Sequence, residues 1–264
     1  MRIIAGPCQH ESLQQSQDIA GFCKEVCDTF DIDYYFKASF DKANRTSYDS
    51  QRGVGLESTM NDFTALKQTD PSLLTLTDVH TVDQVKQIGF EFNDAVDVLQ
   101  IPAFLSRQTD LIKAACLSGK VVNVKKGQFM APWDVKGILS KTTGAGEVWI
   151  TERGTSFGYN TLVVDFTGVR YMLDNYQADI VMDCTHAVQR PGGNGTSSGG
   201  NRDYAPYMAY AAAAVGVENF FLEVHPDPDN APSDGPNMIK LKDFEFVVER
   251  IVSISYEALK YEAR

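Results

Sequence analysis

The stretch that decides the fold is Lys37-Ala38-Ser39-Phe40-Asp41-Lys42-Ala43-Asn44-Arg45-Thr46-Ser47. It follows the aromatic run Tyr34-Tyr35-Phe36, which is typical of a β-strand, and then becomes a polar, cationic loop. Within this loop, Lys42 and Arg45 are flanked by amide and hydroxyl side chains. Arginine binds phosphate through paired N–H groups, lysine supplies a point charge, and amides and hydroxyls suit a sugar. The loop therefore fits a phosphorylated, hydroxylated small molecule, although an ordinary solvated loop has the same composition.

Short strand-like runs alternate with helical patterns along the rest of the chain. The eight predicted strands are Arg2–Ala5, Asp33–Ser39, Leu73–Asp78, Val96–Pro102, Val121–Gly127, Glu147–Gly154, Asp179–His186 and Asn219–Pro226. The clearest predicted helices are Ser12–Phe30, Thr109–Ser118 and Tyr204–Val215. Lys242–Arg264 is predicted as a C-terminal amphipathic helix or helix pair. Eight strands alternating with helices over 264 residues predict an α/β fold, a (β/α)8 TIM barrel in which residues 1–264 form one domain.

A doubly wound open sheet is the alternative, but it usually carries a glycine fingerprint after its first strand. Here the first strand runs into Gly6-Pro7-Cys8-Gln9-His10-Glu11, which is not such a fingerprint. The glycine-rich segment Gly192–Gly200 lacks the Gly-Lys-Ser/Thr ending of a P-loop, and we interpret it as a mobile loop or lid.

The composition is that of a soluble globular protein, with 43% hydrophobic and 22% charged residues. A net charge of −11 argues against nucleic acid or an anionic membrane as a partner. No apolar run is long enough to cross a bilayer, and the first residues lack the pattern of a signal peptide. The five scattered cysteines fit a reducing compartment, so we expect a cytoplasmic protein.

Cationic residues are concentrated at the ends of the predicted strands, where a barrel gathers its chemistry. They are Lys37, Lys42, Arg45, Arg107, Lys125, Lys126 and Arg153, out of only 24 Lys and Arg in the chain. In Val122-Asn123-Val124-Lys125 the valines share one face, so Lys125 is expected to point into the barrel mouth and Lys126 away from it. A lysine buried in the barrel mouth needs a negative partner, and for Lys125 this partner could be Asp78 or Glu152. The number of cations at this end of the barrel favours a different explanation, namely a bound ligand with more than one phosphate or carboxylate group.

A second group of residues has the side chains of a metal site. Its members lie at or just after the ends of the first, seventh and eighth predicted strands: Cys8, His186, Glu223 and Asp234. Barrel closure makes these strands neighbours, and a thiolate, an imidazole and two carboxylates suit Zn²⁺, Fe²⁺ or Mn²⁺. A buried cysteine, a core histidine, an ion-paired glutamate and a turn aspartate would explain the same residues without metal. His225 and Asp183 lie nearby in the sequence and are interpreted as bystanders.

Several long motifs in one order give the chain a family resemblance. They are Ile4–Cys8, Phe40–Arg45, Gln100–Leu105 with Arg107–Asp110, Asn123–Phe129, Thr151–Gly154 and Glu223–Pro226. Across essentially its whole length the chain resembles the 3-deoxy-D-manno-octulosonate-8-phosphate (Kdo8P) synthases. The resemblance implies a homotetrameric (β/α)8 barrel that joins phosphoenolpyruvate, arabinose 5-phosphate and water into Kdo8P and phosphate, for lipopolysaccharide synthesis.

The resemblance also implies residue roles. The residues implied to hold phosphoenolpyruvate are Lys42, Lys125 and Arg153, with Ser39 and Gln100 beside them. Those implied to receive arabinose 5-phosphate are Asn44, Arg45 and Thr46, with Arg107 reaching its phosphate from a neighbouring subunit. Cysteine at position 8, where the metal-independent class has asparagine, implies the metal-dependent class with Cys8, His186, Glu223 and Asp234 as ligands of a divalent ion. His186, Asp234 or a metal-bound hydroxide would activate the water.

Two further expectations follow from the resemblance. Many members close the bottom of the barrel with an N-terminal hairpin, whereas the sequence given starts on its first strand, so other residues are expected to cover that end. The nearest rival is the shikimate-pathway synthase that uses erythrose 4-phosphate and typically carries Lys-Pro-Arg-Thr where this chain has Lys42-Ala43-Asn44-Arg45. An alternative from a different functional class is a sugar-phosphate sensor that has the same barrel but no catalytic activity.

Overall fold

The computed structural model describes residues 1–262 and contains a closed barrel of parallel strands. The barrel strands are β1 (Arg2–Gly6), β2 (Asp33–Lys37), β3 (Leu74–Asp78), β4 (Val98–Ile101), β5 (Val121–Lys125), β6 (Val148–Glu152), β7 (Asp179–Asp183) and β8 (Asn219–His225). Each strand pairs with the next, and β1 pairs with β8, from Arg2 opposite Asn219 to Gly6 opposite Glu223. The predicted (β/α)8 barrel is confirmed.

Helices surround the barrel and return the chain from one strand to the next. They are α1 (Leu13–Thr29), α2 (Leu56–Thr69), α3 (Val82–Glu91), α4 (Thr109–Leu117), α5 (Val135–Leu139), α6 (Phe166–Asn175), α7 (Ala205–Ala214) and α8 (Phe244–Glu262). Side chains of Ser12, Thr81 and Asp165 cap the first turns of α1, α3 and α6, which fixes where these helices begin. The predicted C-terminal helix is found, but Ala263 and Arg264 lie outside the described residues.

Most predicted strands extend past the observed ones at their carboxyl ends. Ser39, for example, was included in the second predicted strand, yet β2 ends at Lys37 and Ser39 forms an isolated bridge with Gln9. The residues between the observed and the predicted strand ends form the loops around the barrel mouth.

The interior of the barrel is filled by one apolar or aromatic side chain from each strand. These are Ile4, Tyr35, Leu76, Val98, Val121, Trp149, Val181 and Phe221. Side chains alternate between the two faces of a strand, so the intervening residues, such as Val122 and Val124, pack outward against the helices. The barrel centre is therefore a solid core on which a polar layer can rest.

Arg2 and Trp149 cover the amino-terminal end of the barrel. The Arg2 guanidinium lies 5.1 Å from the centre of the Trp149 ring, donates to Asp179 at 2.5 Å and forms an ion pair with Glu147 at 3.0 Å. The Tyr35 ring packs edge-on against the Trp149 ring, with 5.1 Å between the two ring centres. Arg2 and Trp149 therefore lie at the end of the barrel opposite the cavity.

The glycine-rich segment forms a small hairpin over the opposite end. Gln189–Arg190 pairs in antiparallel register with Gly199–Gly200, and the residues between them line the barrel mouth. A side chain at Gly200 would force Asn237 to move, because its Oδ1 lies 1.4 Å from the position of a Cβ atom. Within residues 1–262, no helix combines the length and apolarity needed to cross a membrane.

Candidate active site at the carboxyl-terminal mouth of the barrel

A polar layer lies directly above the apolar core of the barrel. It consists of the polar residues two positions further along seven of the strands: Lys37, Asp78, Gln100, Asn123, Thr151, Asp183 and Glu223. Because strand side chains repeat every two residues, each of these points inward like the core residue below it. Thr151 donates to Asn123 at 2.6 Å, and Asn123 donates to Gln100 at 3.1 Å. The layer forms the polar floor of the mouth.

A cavity of about 430 Å³ opens above this floor. Its lining includes most of the predicted site residues: Ser39, Lys42, Asn44, Arg45, Thr46, Gln100, Lys125, Arg153, His186 and Asp234. Cys8 and Glu223 are buried beside it. Arg107 does not line the cavity of its own chain and is exposed, with its carbonyl accepting a hydrogen bond from Lys141.

The four predicted metal ligands converge at one side of the cavity. Ligand atoms of Cys8, His186, Glu223 and Asp234 all lie within 4.8 Å of one another. The Cys8 Sγ is 3.4 Å from Asp234, while His186 Nε2 is 3.5 Å from Glu223 and 3.6 Å from Asp234. A thiolate, an imidazole and two carboxylates form a donor set for a borderline divalent ion, and the residues present fit such an ion.

Two of these residues have unusual backbone conformations. Cys8 has a φ of +32° and Asp234 a φ of +52°, in the left-handed region that few non-glycine residues adopt. The Cys8 carbonyl is held by the Ser39 amide at 3.1 Å and by the Lys37 ammonium at 2.9 Å. Such conformations persist where the surroundings fix them, and they cluster at functional sites.

Lys125 points into the mouth, as expected from strand periodicity, but its partner differs from the predicted ones. It donates to Asp183, on the seventh strand, and lies 3.5 Å from the centre of the Phe221 ring. Asp183 also lies 2.8 Å from Nδ1 of His186. Burial opposes ionisation of Asp183, but His186 and Lys125 hold its pKa well below the usual range. Asp183 is not one of the four clustered ligand residues, but it pairs with Lys125 and His186 in the mouth.

Lys126 points away from the mouth, as predicted. Its ammonium lies 3.3 Å from Glu152 and donates to the Met130 carbonyl at 3.0 Å. Glu152 also accepts hydrogen bonds from the amides of Arg153 and Gly154, so it shapes the turn after β6. His225 likewise lies apart from the metal-like cluster and contacts Glu11 at 2.9 Å.

Gln189 was missed in the sequence, although it connects both parts of the site. Its Oε1 accepts from Arg153 at 2.8 Å, and its Nε2 donates to Asp234 at 2.7 Å. The second terminal nitrogen of Arg153 is buried and has no partner among the described residues, so it can take up an anion. The only sequence signal for Gln189 is its position three residues after His186.

The opening stretch of the sequence supplies two kinds of cation. Burial lowers the pKa of Lys42, but Cys8, Glu223, Asp78 and Asp234 together hold it above its ordinary value. Arg45 instead connects its own loop with the loops after β1 and β8. It donates hydrogen bonds of 2.7–2.9 Å to Gln51, Gln9, Pro232 and Ser233. Since a guanidinium has five N–H groups, few remain for a ligand unless these contacts change.

Comparison with known proteins defines the class of the molecule. The family model described as the DAHP synthetase I family matches residues 1–256, and the chain belongs to this family. More particularly, it is similar to proteins named 2-dehydro-3-deoxyphosphooctonate aldolase. The relative from Nitrobacter hamburgensis is 52% identical over 96% of this chain and 87% of its own length. Those from Bradyrhizobium diazoefficiens and Caulobacter vibrioides are each 50% identical, over 99% and 98% of this chain and 91% and 88% of their own lengths.

Proposed function

We propose that this protein is a Kdo8P synthase, the activity that the name 2-dehydro-3-deoxyphosphooctonate aldolase denotes. It joins phosphoenolpyruvate, D-arabinose 5-phosphate and water into Kdo8P and phosphate, as a step of lipopolysaccharide synthesis. The names of the relatives support this assignment. The observation that carries it is a cavity with cations at two places, Lys42, Lys125 and Arg153 over the barrel and Arg45 in the loop after β2.

Phosphoenolpyruvate occupies the part of the cavity over the barrel. Its phosphate and carboxylate are matched by the Lys42 and Lys125 ammonium groups and the free nitrogen of Arg153. Lys125 already faces Asp183, so it offers an oriented charge and does not act as a nucleophile. Gln100 and Ser39 lie beside this position.

Arabinose 5-phosphate occupies the part next to the β2–α2 loop. Asn44 and Thr46 offer groups for its hydroxyls, and Arg45 offers charge for its phosphate. Arg107 completes the phosphate site from a neighbouring subunit of a tetramer. Its exposure and its absence from the cavity of its own chain support this part of the proposal.

The reaction forms a bond between carbon three of phosphoenolpyruvate and the aldehyde carbon, while water adds to carbon two. A proton moves from the water to a base, and the aldehyde oxygen takes up a proton to become a hydroxyl group. Phosphate then leaves by cleavage of its C–O bond while the new hydroxyl on carbon two loses its proton, which gives the ketone of Kdo8P. Asp234 is the residue that best suits this base, because it lines the cavity, whereas both ring nitrogens of His186 already face carboxylates.

Cys8, His186, Glu223 and Asp234 would hold a divalent ion such as Zn²⁺, Fe²⁺ or Mn²⁺. When bound, it supplies a Lewis acid for the aldehyde oxygen or for water. The donor set supports this proposal. Cytoplasmic location is also proposed, and the five free cysteines, which fit a reducing compartment, support it.

Phosphate release with each of two aldehydes tests the assignment. Turnover with phosphoenolpyruvate and arabinose 5-phosphate, and little with erythrose 4-phosphate, is the expected result. The family description alone would suit the erythrose 4-phosphate reaction, but the relatives' names and Ala43-Asn44 after Lys42 favour the five-carbon sugar. Faster turnover with erythrose 4-phosphate would overturn the proposal, and binding of both substrates without phosphate release would favour a sensor.

A further inference from the structure

Ser39 lies at the centre of a buried hydrogen-bonding group on the cavity floor. Its side chain is fully buried and touches three charged groups. The Lys42 ammonium is 2.9 Å from the Ser39 oxygen, the Lys37 ammonium is 3.1 Å from it, and the Asp78 carboxylate accepts its proton. Asp78 is also buried and lies 3.2 Å from His80.

The direction of each hydrogen bond follows from the chemistry of the groups. An ammonium group has three donors and no acceptor, whereas a serine hydroxyl has one donor and two lone pairs. Ser39 must therefore accept from both lysines and can give its single proton only to Asp78. The carboxylate is ionised, because His80, Lys37 and Lys42 overcome the effect of burial and lower the pKa of Asp78. Ser39 thus has no proton left for a bound substrate.

The two lysines differ in what they can still offer. Lys37 donates to the Cys8 carbonyl at 2.9 Å, to Ser39 at 3.1 Å and to Glu223 at 3.2 Å, which uses all three of its N–H groups. Among the described residues, Ser39 is the one hydrogen-bond partner of the Lys42 ammonium. Two N–H groups of Lys42 therefore face the cavity, in directions that the bond to Ser39 fixes.

We propose that Asp78 is a positioning residue that acts through Ser39 to aim the Lys42 ammonium at an anionic group of phosphoenolpyruvate. In this arrangement Ser39 does not donate to the substrate, contrary to the simplest interpretation of a serine in the binding site. The inference rests on the proposed function for the identity of the anion. It adds Asp78 to the residues that determine how tightly the anion binds.

The direction in which anion affinity changes when Asp78 is replaced distinguishes a positioning role from a purely electrostatic one. Removal of the negative Asp78 charge beside an anion site should strengthen anion binding if charge alone matters. Loss of the Ser39 acceptor geometry should weaken it. A weaker complex in Asp78→Ala can therefore come only from lost positioning, as long as the protein remains folded.

The test is a double-mutant cycle on phosphoenolpyruvate affinity, measured by calorimetry without aldehyde. We expect Ser39→Ala and Asp78→Ala each to raise the dissociation constant roughly tenfold, the loss of one charge-assisted hydrogen bond. The double variant should bind no more weakly than either single variant, because both act through one contact. Asp78→Asn, which keeps an acceptor for Ser39 without the charge, should bind as tightly as the wild type or more tightly.

Three results would overturn the proposal: unchanged or tighter binding in Asp78→Ala, additive effects in the double variant, or equal losses in Asp78→Asn and Asp78→Ala. Asp97→Ala is the matched control, since Asp97 binds Lys67 and Thr75 at the opposite end of the barrel and should affect melting but not affinity. The Michaelis constant for phosphoenolpyruvate should rise in Asp78→Ala while that for arabinose 5-phosphate stays unchanged. If the wild type binds phosphoenolpyruvate but releases no phosphate, the proposed function fails and the cycle can still be read.

Discussion

The imidazole Nε2 of His186 lies 3.5 Å from Oε2 of Glu223, and this carboxylate oxygen has no hydrogen-bond partner among the described residues. A buried carboxylate oxygen left in this way is costly, and it is uncommon in folded proteins. A divalent ion between Glu223, His186, Cys8 and Asp234 would satisfy it.

Removal of metal is therefore expected to abolish condensation. Incubation with a chelator followed by gel filtration should remove activity, and Mn²⁺, Zn²⁺ or Co²⁺ should restore it. Cys8→Ala should weaken metal binding, measured by metal analysis after dialysis. Cys184→Ala is the control, because Cys184 is buried but lies outside the cluster. Full activity of protein shown to be free of metal would contradict this prediction.

Lys125 and Lys126 are adjacent in sequence but should respond differently to substitution. Lys125→Met removes a cation from the cavity, so kcat/KM should fall about 100-fold or more, as when one transition-state contact is lost. Lys126→Met leaves the buried Glu152 without its ion pair and should cost about 3 kcal/mol of stability.

Steady-state assays at a temperature where both variants are folded, together with thermal melting, check this contrast. The prediction fails if Lys126→Met loses as much kcat/KM as Lys125→Met while it melts like the wild type. The contrast is expected because the Lys125 side chain points from β5 into the cavity, whereas the Lys126 side chain points away from it.

Gln189→Leu should lower turnover with little change in overall stability. The substitution keeps the approximate size of the side chain but removes the bridge between Arg153 and Asp234. We expect kcat/KM to fall about tenfold, the effect of one hydrogen bond to a charged group. Gln87→Leu on α3, where Gln87 contacts Glu91, is the matched control. Wild-type kinetics in Gln189→Leu would show that the bridge is dispensable.

Acid stability should depend on Asp78. Its pKa is lower in the folded protein than in the unfolded chain, where an aspartate has a pKa of about 3.9. The ionised carboxylate therefore stabilises the fold above that pH, and this contribution is lost as the pH falls. Asp78→Asn should make the free energy of unfolding less dependent on pH between about 5 and 3, by up to about 1.4 kcal/mol per pH unit. Urea titrations across this range measure the slope, and parallel slopes in both proteins would contradict the assignment.

The barrel itself could be predicted from the sequence because strand and helix periodicity are local properties. Periodicity also gave the opposite directions of Lys125 and Lys126, and barrel closure explains why Cys8, His186, Glu223 and Asp234 converge. Their role in metal binding and the substrate roles of the cavity residues stay predictions.

The pairing of buried charges could not be predicted in the same way. Lys125 pairs with Asp183, two strands away, because its long side chain reaches across the mouth to that carboxylate. Several carboxylates follow strands of this chain, and the sequence does not give their heights above the core. Gln189 was missed for a related reason, since its role depends on where a short hairpin stem meets Arg153 and Asp234.

The left-handed backbone at Cys8 limits which residues can replace it. Asparagine is among the few non-glycine residues that often adopt positive φ, whereas β-branched residues avoid it. An asparagine at position 8 can therefore take the place of the thiol without rebuilding the loop, whereas a valine or an isoleucine there would strain the turn after β1.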